Sequence, residues 1–250
     1  MKAADIWFTL YYDTKEDIIT HKFTINKKIM IFLRKCRAGG SMRYYIADMH
    51  FFDGGVMKEM DRRPFGSVEE MHDCMIDRWN KKVKKRDEVF VLGDMFSWKG
   101  ADVPSINRIL AQLRGKIYLV SGNHDGSWLH RDGINLDRFR WIRPYAEITD
   151  QNRNVVLCHY PIPFFGKNHM RDAGGKLKTF MVHGHVHDTA EAALLYRFEE
   201  MSRREKITTA AGDVESMECN LINCFCGYSD YQPLSLDEWI VLRDRYSTHL

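Results

Sequence analysis

The chain has 250 residues, 44% of them hydrophobic and 28% charged, with a formal net charge of +3. That length and composition describe an ordinary globular protein able to bury a sizeable core in one domain. So small a net charge does not argue for a nucleic-acid or membrane partner, and no run of eighteen apolar residues exists to span a bilayer.

The first residues, Met1-Lys2-Ala3-Ala4-Asp5, lack a basic region followed by an apolar stretch, so no signal peptide is expected. The six cysteines (Cys36, Cys74, Cys158, Cys219, Cys224 and Cys226) follow no disulfide-framework spacing. They fit a reducing cytosol, and a cytoplasmic location is the expectation. Cys219, Cys224 and Cys226 have no matching pair to complete a four-ligand zinc site, so packing is their expected role.

Residues 1–41 hold β-rich stretches at 6–12 and 23–25 with polar residues between. They read as an added hairpin followed by a linker at 37–41, leaving 42–250 as the main domain. The apolar run Tyr44-Tyr45-Ile46-Ala47 then stops in Asp48-Met49-His50. Residues 67–85 form the clearest helix, opened by a Ser67/Glu70 capping box. Its stripe of Val68, Met71, Met75, Trp79 and Val83 has helical spacing and reads as core. The basic run at 81–86 suits a helix C-terminus better than a nucleic-acid patch. Val89-Phe90-Val91-Leu92 ends in Gly93-Asp94. A second helix is expected from near Pro104 to before Gly115, with Ile106, Ile109, Leu110 and Leu113 inward.

Lys116-Ile117-Tyr118-Leu119-Val120-Ser121 runs into Gly122-Asn123-His124-Asp125, and Val155-Val156-Leu157-Cys158 into His159. Thr179-Phe180-Met181-Val182-His183 runs into Gly184-His185-Val186-His187. A third helix is expected near 190–204, a buried strand within 217–226, and a C-terminal helix opened by a Ser235/Glu238 capping box.

Short apolar runs read as buried strands, and open α/β sheets gather their chemistry at the carboxyl ends of strands. Five such runs deliver Asp, His and Asn to one edge, which describes a metal site, with two metals expected. Any one of these histidines alone would read as an ordinary loop or core residue. A Gly-Asn-His-Asp tetrapeptide, however, arises by chance in roughly one chain of this length in a thousand. Asp94, with two carboxylate oxygens and a glycine before it, is the natural bridging ligand. Residues two apart point the same way in extended chain, which would bring His185 and His187 to one cluster.

Taken in order, Asp48-x-His50, Gly93-Asp94, Gly122-Asn123-His124-Asp125, His159 and Gly184-His185-x-His187 resemble the calcineurin-like metallophosphoesterase superfamily. The likeness covers residues 42 to about 240. Arg63-Pro64-Phe65, His159-Tyr160-Pro161 and Tyr231-Gln232-Pro233 resemble its compact single-domain bacterial and bacteriophage members. The resemblance implies an α/β fold of two facing mixed sheets flanked by helices, a four-layer sandwich. It implies a phosphate mono- or diester substrate, hydrolysed by in-line attack of a metal-bridging hydroxide at a dinuclear centre. It assigns Asp48, His50, Asp94 and His187 to one metal, Asn123, His159 and His185 to the other, and His124 to a catalytic role. Oxygen and nitrogen ligands without thiolate suit Mn, Fe, Zn or Ni.

Two positions depart from the pattern. Ser97 stands where many members have an acidic residue that orients the catalytic histidine, and Asp125 is a weak substitute for it. Phe51-Phe52-Asp53-Gly54-Gly55 replaces a His and Asn often found there, so a different substrate rim is expected. A nuclease would want aromatic stacking partners and cations near the site. Trp98, Lys99, Trp128, His130, Arg131, Phe164, Phe165, Lys167 and His169 lie in nearby loops, but nucleic acid is not the favoured partner. A non-catalytic scaffold of the same fold should have lost His124 or several ligands, and this chain keeps them.

Overall fold

The computed structural model describes residues 6–7, 22–23, 40–208 and 210–246. The chain divides into two compact units, Met1–Met42 and Arg43–Leu250. In the first, β1 (Ile6–Trp7) pairs antiparallel with β2 (Lys22–Phe23). The rest of the expected hairpin and the start of its linker lie outside the described residues.

The second unit is built on two four-stranded sheets. The first runs β3 (Arg43–Ile46), β4 (Glu88–Leu92), β5 (Lys116–Val120), β6 (Phe139–Arg143), and all its pairs are parallel. The second has the order β12 (Leu221–Asn223), β9 (Thr179–His183), β8 (Arg153–Cys158), β7 (Tyr145–Asp150). Only β7, which hairpins onto β8, is antiparallel to its neighbour. The mixing of directions is therefore confined to the second sheet. Helical crossovers connect β3 to β4 and β4 to β5, and such crossovers keep successive strands parallel. A small hairpin of β10 (Lys206–Thr208) and β11 (Val214–Ser216) follows the Ala190–Arg204 helix.

Alternation along each strand sorts the core into layers. Tyr45, Ala47, Phe90, Leu92 and Val120 from the first sheet meet Ala146, Val155, Leu157, Phe180, Val182 and Ile222 from the second. In-register neighbours Tyr45, Phe90 and Tyr118 stack across the first sheet at ring separations of 5.5 and 4.7 Å. Such cross-strand aromatic pairs add to simple burial. On the outer face of the second sheet, Val156, Cys158 and Met181 pack with Leu195 and Phe198 of the Ala190–Arg204 helix. The Val68–Lys82 and Val103–Gln112 helices bury Met71, Met75, Trp79, Ile106, Ile109 and Leu110.

The helix boundaries follow their caps. Ser67 Oγ accepts from Glu70 N at 3.1 Å, while Glu70 reaches back to the N–H of Gly66. This helix stops at Lys82, short of the expected residue 85, because Asp87 draws Lys84 N into a turn at 2.8 Å. Ser235 and Glu238 cap each other and open the Leu236–Tyr246 helix. The expected strand at 217–226 shortens to Leu221–Asn223, because Cys224 and Cys226 turn away to bond the backbone of Ala47. Cys219, Cys224 and Cys226 are all buried. Strands β6 and β7 carry no apolar run: arginines and a glutamate alternate with their buried residues, as suits sheet margins.

Trp239 joins the layer between the sheets and donates its indole N–H to the carbonyl of Tyr45 at 2.9 Å. Trp239→Ala is expected to cost about 3–5 kcal/mol, measured by denaturant unfolding. Trp239→Phe, which keeps most of the volume, should cost clearly less.

Candidate metal centre

The register of the parallel strands brings the ends of β3, β4 and β5 level, with Ile46 beside Val91 and Leu92 beside Val120. The ends of β8 and β9 are aligned likewise, with Leu157 beside Val182. Backbone bonds from Ala47 to Cys224 and from Cys226 to Ala47 tie the two sheets at this edge. All eight residues singled out from the sequence, Asp48, His50, Asp94, Asn123, His124, His159, His185 and His187, meet here.

Their arrangement has a buried floor and an exposed rim. Asp48, His50, Asp94, His159 and His187 are buried, whereas Asn123 and His124 are exposed and His185 is partly so. Two groups have ligand atoms mutually within 4.8 Å: Asp48, His50 and His187, and Asp48, Asp94 and His159. Asp48 belongs to both groups. Asp94 also reaches both sides, its Oδ2 lying 3.7 Å from His50 Nε2 and 3.4 Å from His159 Nε2. At the rim, Asn123 Oδ1 sits 2.9 Å from His159 Nε2 and 3.1 Å from His185 Nδ1.

Five of these residues, Asp48, His50, Asp94, His185 and His187, have left-handed backbone with φ between 46° and 72°. Such conformations cost about 1–3 kcal/mol each and concentrate where function demands a geometry. The extended-chain expectation for His185 and His187 is therefore corrected. Each sits in a sharp turn, and their rings diverge, His185 toward Asn123 and His187 toward His50. Asn123 and His124 also lie in a turn and face opposite flanks, His124 packing edge-on to His50 at 5.2 Å.

Glycines permit the close approach. A Cβ on Gly93, whose φ is +87°, would lie 2.2 Å from His159 Nδ1. One on Gly122 would lie 2.3 Å from Asp94 Oδ1, and one on Gly184 2.6 Å from Asp48 Oδ2. Those distances are impossible for non-bonded atoms, so the glycines before Asp94, Asn123 and His185 are steric requirements.

The donor chemistry fits divalent cations. His159 Nδ1 must donate to the Leu92 carbonyl at 2.8 Å, because a carbonyl only accepts. In a neutral ring the Nε2 lone pair then faces the oxygens of Asn123 and Asp94, an arrangement that needs a proton or a cation between them. Burial opposes protonation of His159, yet its bond to Asp94 and the charges of Asp48 and Asp94 raise its pKa to about 9. Burial drives His50 down to about 3, leaving it in the neutral form that ligates metals. Burial likewise lifts Asp48 to about 6 against the pull of His187 and His159. For Asp94 burial is outweighed by His159, the His124 N–H and His50, and its pKa falls to about 2. Protons and cations thus compete for the same positions.

Several supporting residues carried no role in the sequence. His187 Nδ1 donates to Asp61 at 2.8 Å, and Asp61 in turn meets Arg63. Arg63-Pro64-Phe65 was legible as a signature without a function. Asp125 takes a different part from the one its position suggested. It is buried, and its carboxylate accepts from Asp94 N, Met95 N, Gly122 N and Trp128 Nε1 at 2.8–3.0 Å. It locks the β4 and β5 turns together and has no oxygen left to orient His124. Trp128 is thereby a buried packing residue and not a stacking surface, and Phe165 packs on the second sheet. Phe51 and Phe52 pack with Phe96 and His72. A cavity of about 470 Å³ lies elsewhere, beside Gly115 at the amino-terminal edge of the first sheet. Two of its cations, Arg114 and Arg138, are engaged by backbone carbonyls at helix ends, so it is not where the chemistry gathers.

Residues 44–207 match the calcineurin-like phosphoesterase family, and the chain belongs to it. The uncharacterized protein MJ1445 of Methanocaldococcus jannaschii is 39% identical over 149 residues, 59% of this chain and 71% of that protein. The Gene 66 protein of Mycobacterium phage D29 is 26% identical over 164 residues, 58% of this chain and 77% of the phage protein. The crystal structure of AQ665 from Aquifex aeolicus, a protein of unknown function, has the same fold. Its TM-score is 0.54 at 23% identity, over 81% of this chain and 100% of that one. No helix among the described residues is long and apolar enough to cross a membrane.

Asp125→Asn replaces one accepting oxygen with a donor facing buried N–H groups. Each donor left unpaired costs about 1–3 kcal/mol, so the variant is expected to lose at least about 2 kcal/mol. Thermal unfolding measures it, and an unchanged melting temperature would remove Asp125 from this role.

Proposed function

We propose that the chain is a metal-dependent phosphoesterase that cleaves phosphate mono- or diesters at a dinuclear centre. The observation that carries this reading is the convergence of two buried carboxylates and three buried imidazoles beneath a rim of Asn123, His124 and His185. Membership of the calcineurin-like phosphoesterase family supports it.

Asp48, His50 and His187 would hold one cation, and Asn123, His159 and His185 the other. Asp94, whose Oδ2 lies within 4 Å of His50 and His159, would serve both. When bound, a pair of divalent cations supplies Lewis-acid charge and an activated water for in-line displacement at phosphorus. Oxygen and nitrogen donors without thiolate suit Mn, Fe, Zn or Ni.

The protein's own groups do the rest. The Leu92 carbonyl and the Asp61 carboxylate each occupy the Nδ1–H of a histidine and leave its Nε2 directed inward. His124 is anchored through its backbone N–H on Asp94 Oδ1 at 2.8 Å, while its imidazole is 53% exposed and 4.0 Å from Asp94 Oδ2. It is thus free to meet a bound ester and to hold a proton at Nε2 for the departing oxygen.

Metal-stripped protein should hydrolyse neither an aryl phosphate monoester nor a diester until Mn²⁺ is added, and Asp94→Asn should stay inactive in Mn²⁺. Failure of every candidate metal to restore hydrolysis of both substrates would overturn the reading. His124→Ala should retain its metals and lose turnover by ~10²–10⁴-fold on alkyl esters. The deficit should shrink for nitrophenyl esters, whose leaving group needs no proton. A deficit independent of leaving group would instead assign His124 to charge stabilisation.

A further inference from the structure

Between His50 and the Val68–Lys82 helix the chain supplies none of the ligands named above, yet it sends a buried ion pair to the centre. Residues Val56–Met60 form a single π-helical turn anchored by buried Met57. Asp61 N closes on the Val56 carbonyl at 2.9 Å and Arg63 N on the Met57 carbonyl at 2.7 Å. That turn aims both side chains inward, where the Asp61 carboxylate is 3% exposed and the Arg63 guanidinium fully covered.

Asp61 Oδ1 accepts from His187 Nδ1 at 2.8 Å. Asp61 Oδ2 accepts from Arg63 Nε and Nη2 at 2.9 and 2.7 Å. The same guanidinium donates to the Asp48 carbonyl at 2.9 Å and the Met49 carbonyl at 2.7 Å. A single chain of charge-assisted bonds therefore runs from the His187 ring to the loop that carries Asp48 and His50. An ion pair buried here brings little net stability by itself. What the pair does supply is orientation. A carboxylate can only accept, so it requires the proton on Nδ1 and turns the Nε2 lone pair toward His50 Nε2 and Asp48 Oδ1, 3.3 and 3.7 Å away. The backbone of His187 is held separately, by Asn223 Nδ2 on its carbonyl at 2.8 Å.

We propose that Asp61, fixed by Arg63, is a positioning residue that sets the tautomer and ring orientation of His187 as a ligand. The proposal rests on the dinuclear reading and concerns only the cation held by Asp48, His50 and His187. Removing such a supporting partner typically weakens metal affinity by about 10–100-fold.

The test titrates Mn²⁺ into metal-stripped full-length protein by calorimetry and compares wild type with Asp61→Asn and Asp61→Glu. In Asp61→Asn one binding step should weaken about 10–100-fold while the other stays unchanged. Asp61→Glu, which keeps the charge, should recover part of the loss and guards against a variant that fails to fold. Nitrogen-15 spectra of histidine-labelled, metal-free protein at alkaline pH supply a second readout. His187 should carry its proton on Nδ1 in wild type and lose that preference in Asp61→Asn. Equal weakening of both steps, an unaltered titration, or the same tautomer in both proteins would overturn the proposal. Should wild type take up no Mn²⁺, the dinuclear reading falls, and the spectra still decide whether Asp61 orients the ring.

Discussion

Two carboxylates, Asp48 and Asp94, are buried together at adjacent strand ends, and the architecture around them answers that electrostatic problem. Burial and mutual repulsion both disfavour their ionised forms. The protein opposes this with backbone N–H groups from His185 to Asp48 and from His124 to Asp94, and with imidazoles on every side. Cations would complete the neutralisation. A site so arranged is more costly to the fold without metal than with it, since bound metal stabilises only the folded state.

That demand propagates outward through geometry. Five residues of the site adopt left-handed backbone so that neighbouring strands can point side chains into one volume. The strained turns are held by bonds from residues outside the candidate ligand set. Asp125 clamps the β4 and β5 turns from behind, and Arg63 grips the carbonyls of Asp48 and Met49. The rigid layer between the sheets, with its aromatic stack and Trp239, keeps the strand ends level. Precision at the edge thus depends on packing well away from it.

The division between floor and rim would suit the proposed hydrolysis of an ester arriving from solvent. The floor is buried, while exposed Asn123 and His124 and partly exposed His185 face solvent. Tyr160, 47% exposed and edge-on to His185 at 4.6 Å, extends that rim with an aromatic surface.

The sequence by itself determined the strands that carry the candidate ligands and the residues that end them. Buried strands need uninterrupted apolar runs, and chemistry interrupts them abruptly. The helices at 68–82, 103–112, 190–204 and 236–246 were legible for the same reason, because caps and apolar stripes are local signals. Margin strands β6 and β7 were not, since half-exposed strands share their arginines and glutamates with loops. Tertiary structure alone decided the direction in which each candidate ligand points. His185 and His187 do reach one centre, but from left-handed turns with φ of 72° and 46° and not from the extended chain that their spacing suggested. It also decided the roles of Asp61 and Asp125. A carboxylate beside a motif is locally ambiguous, and only the fold determines whether an imidazole or a set of backbone N–H groups lies within hydrogen-bond reach.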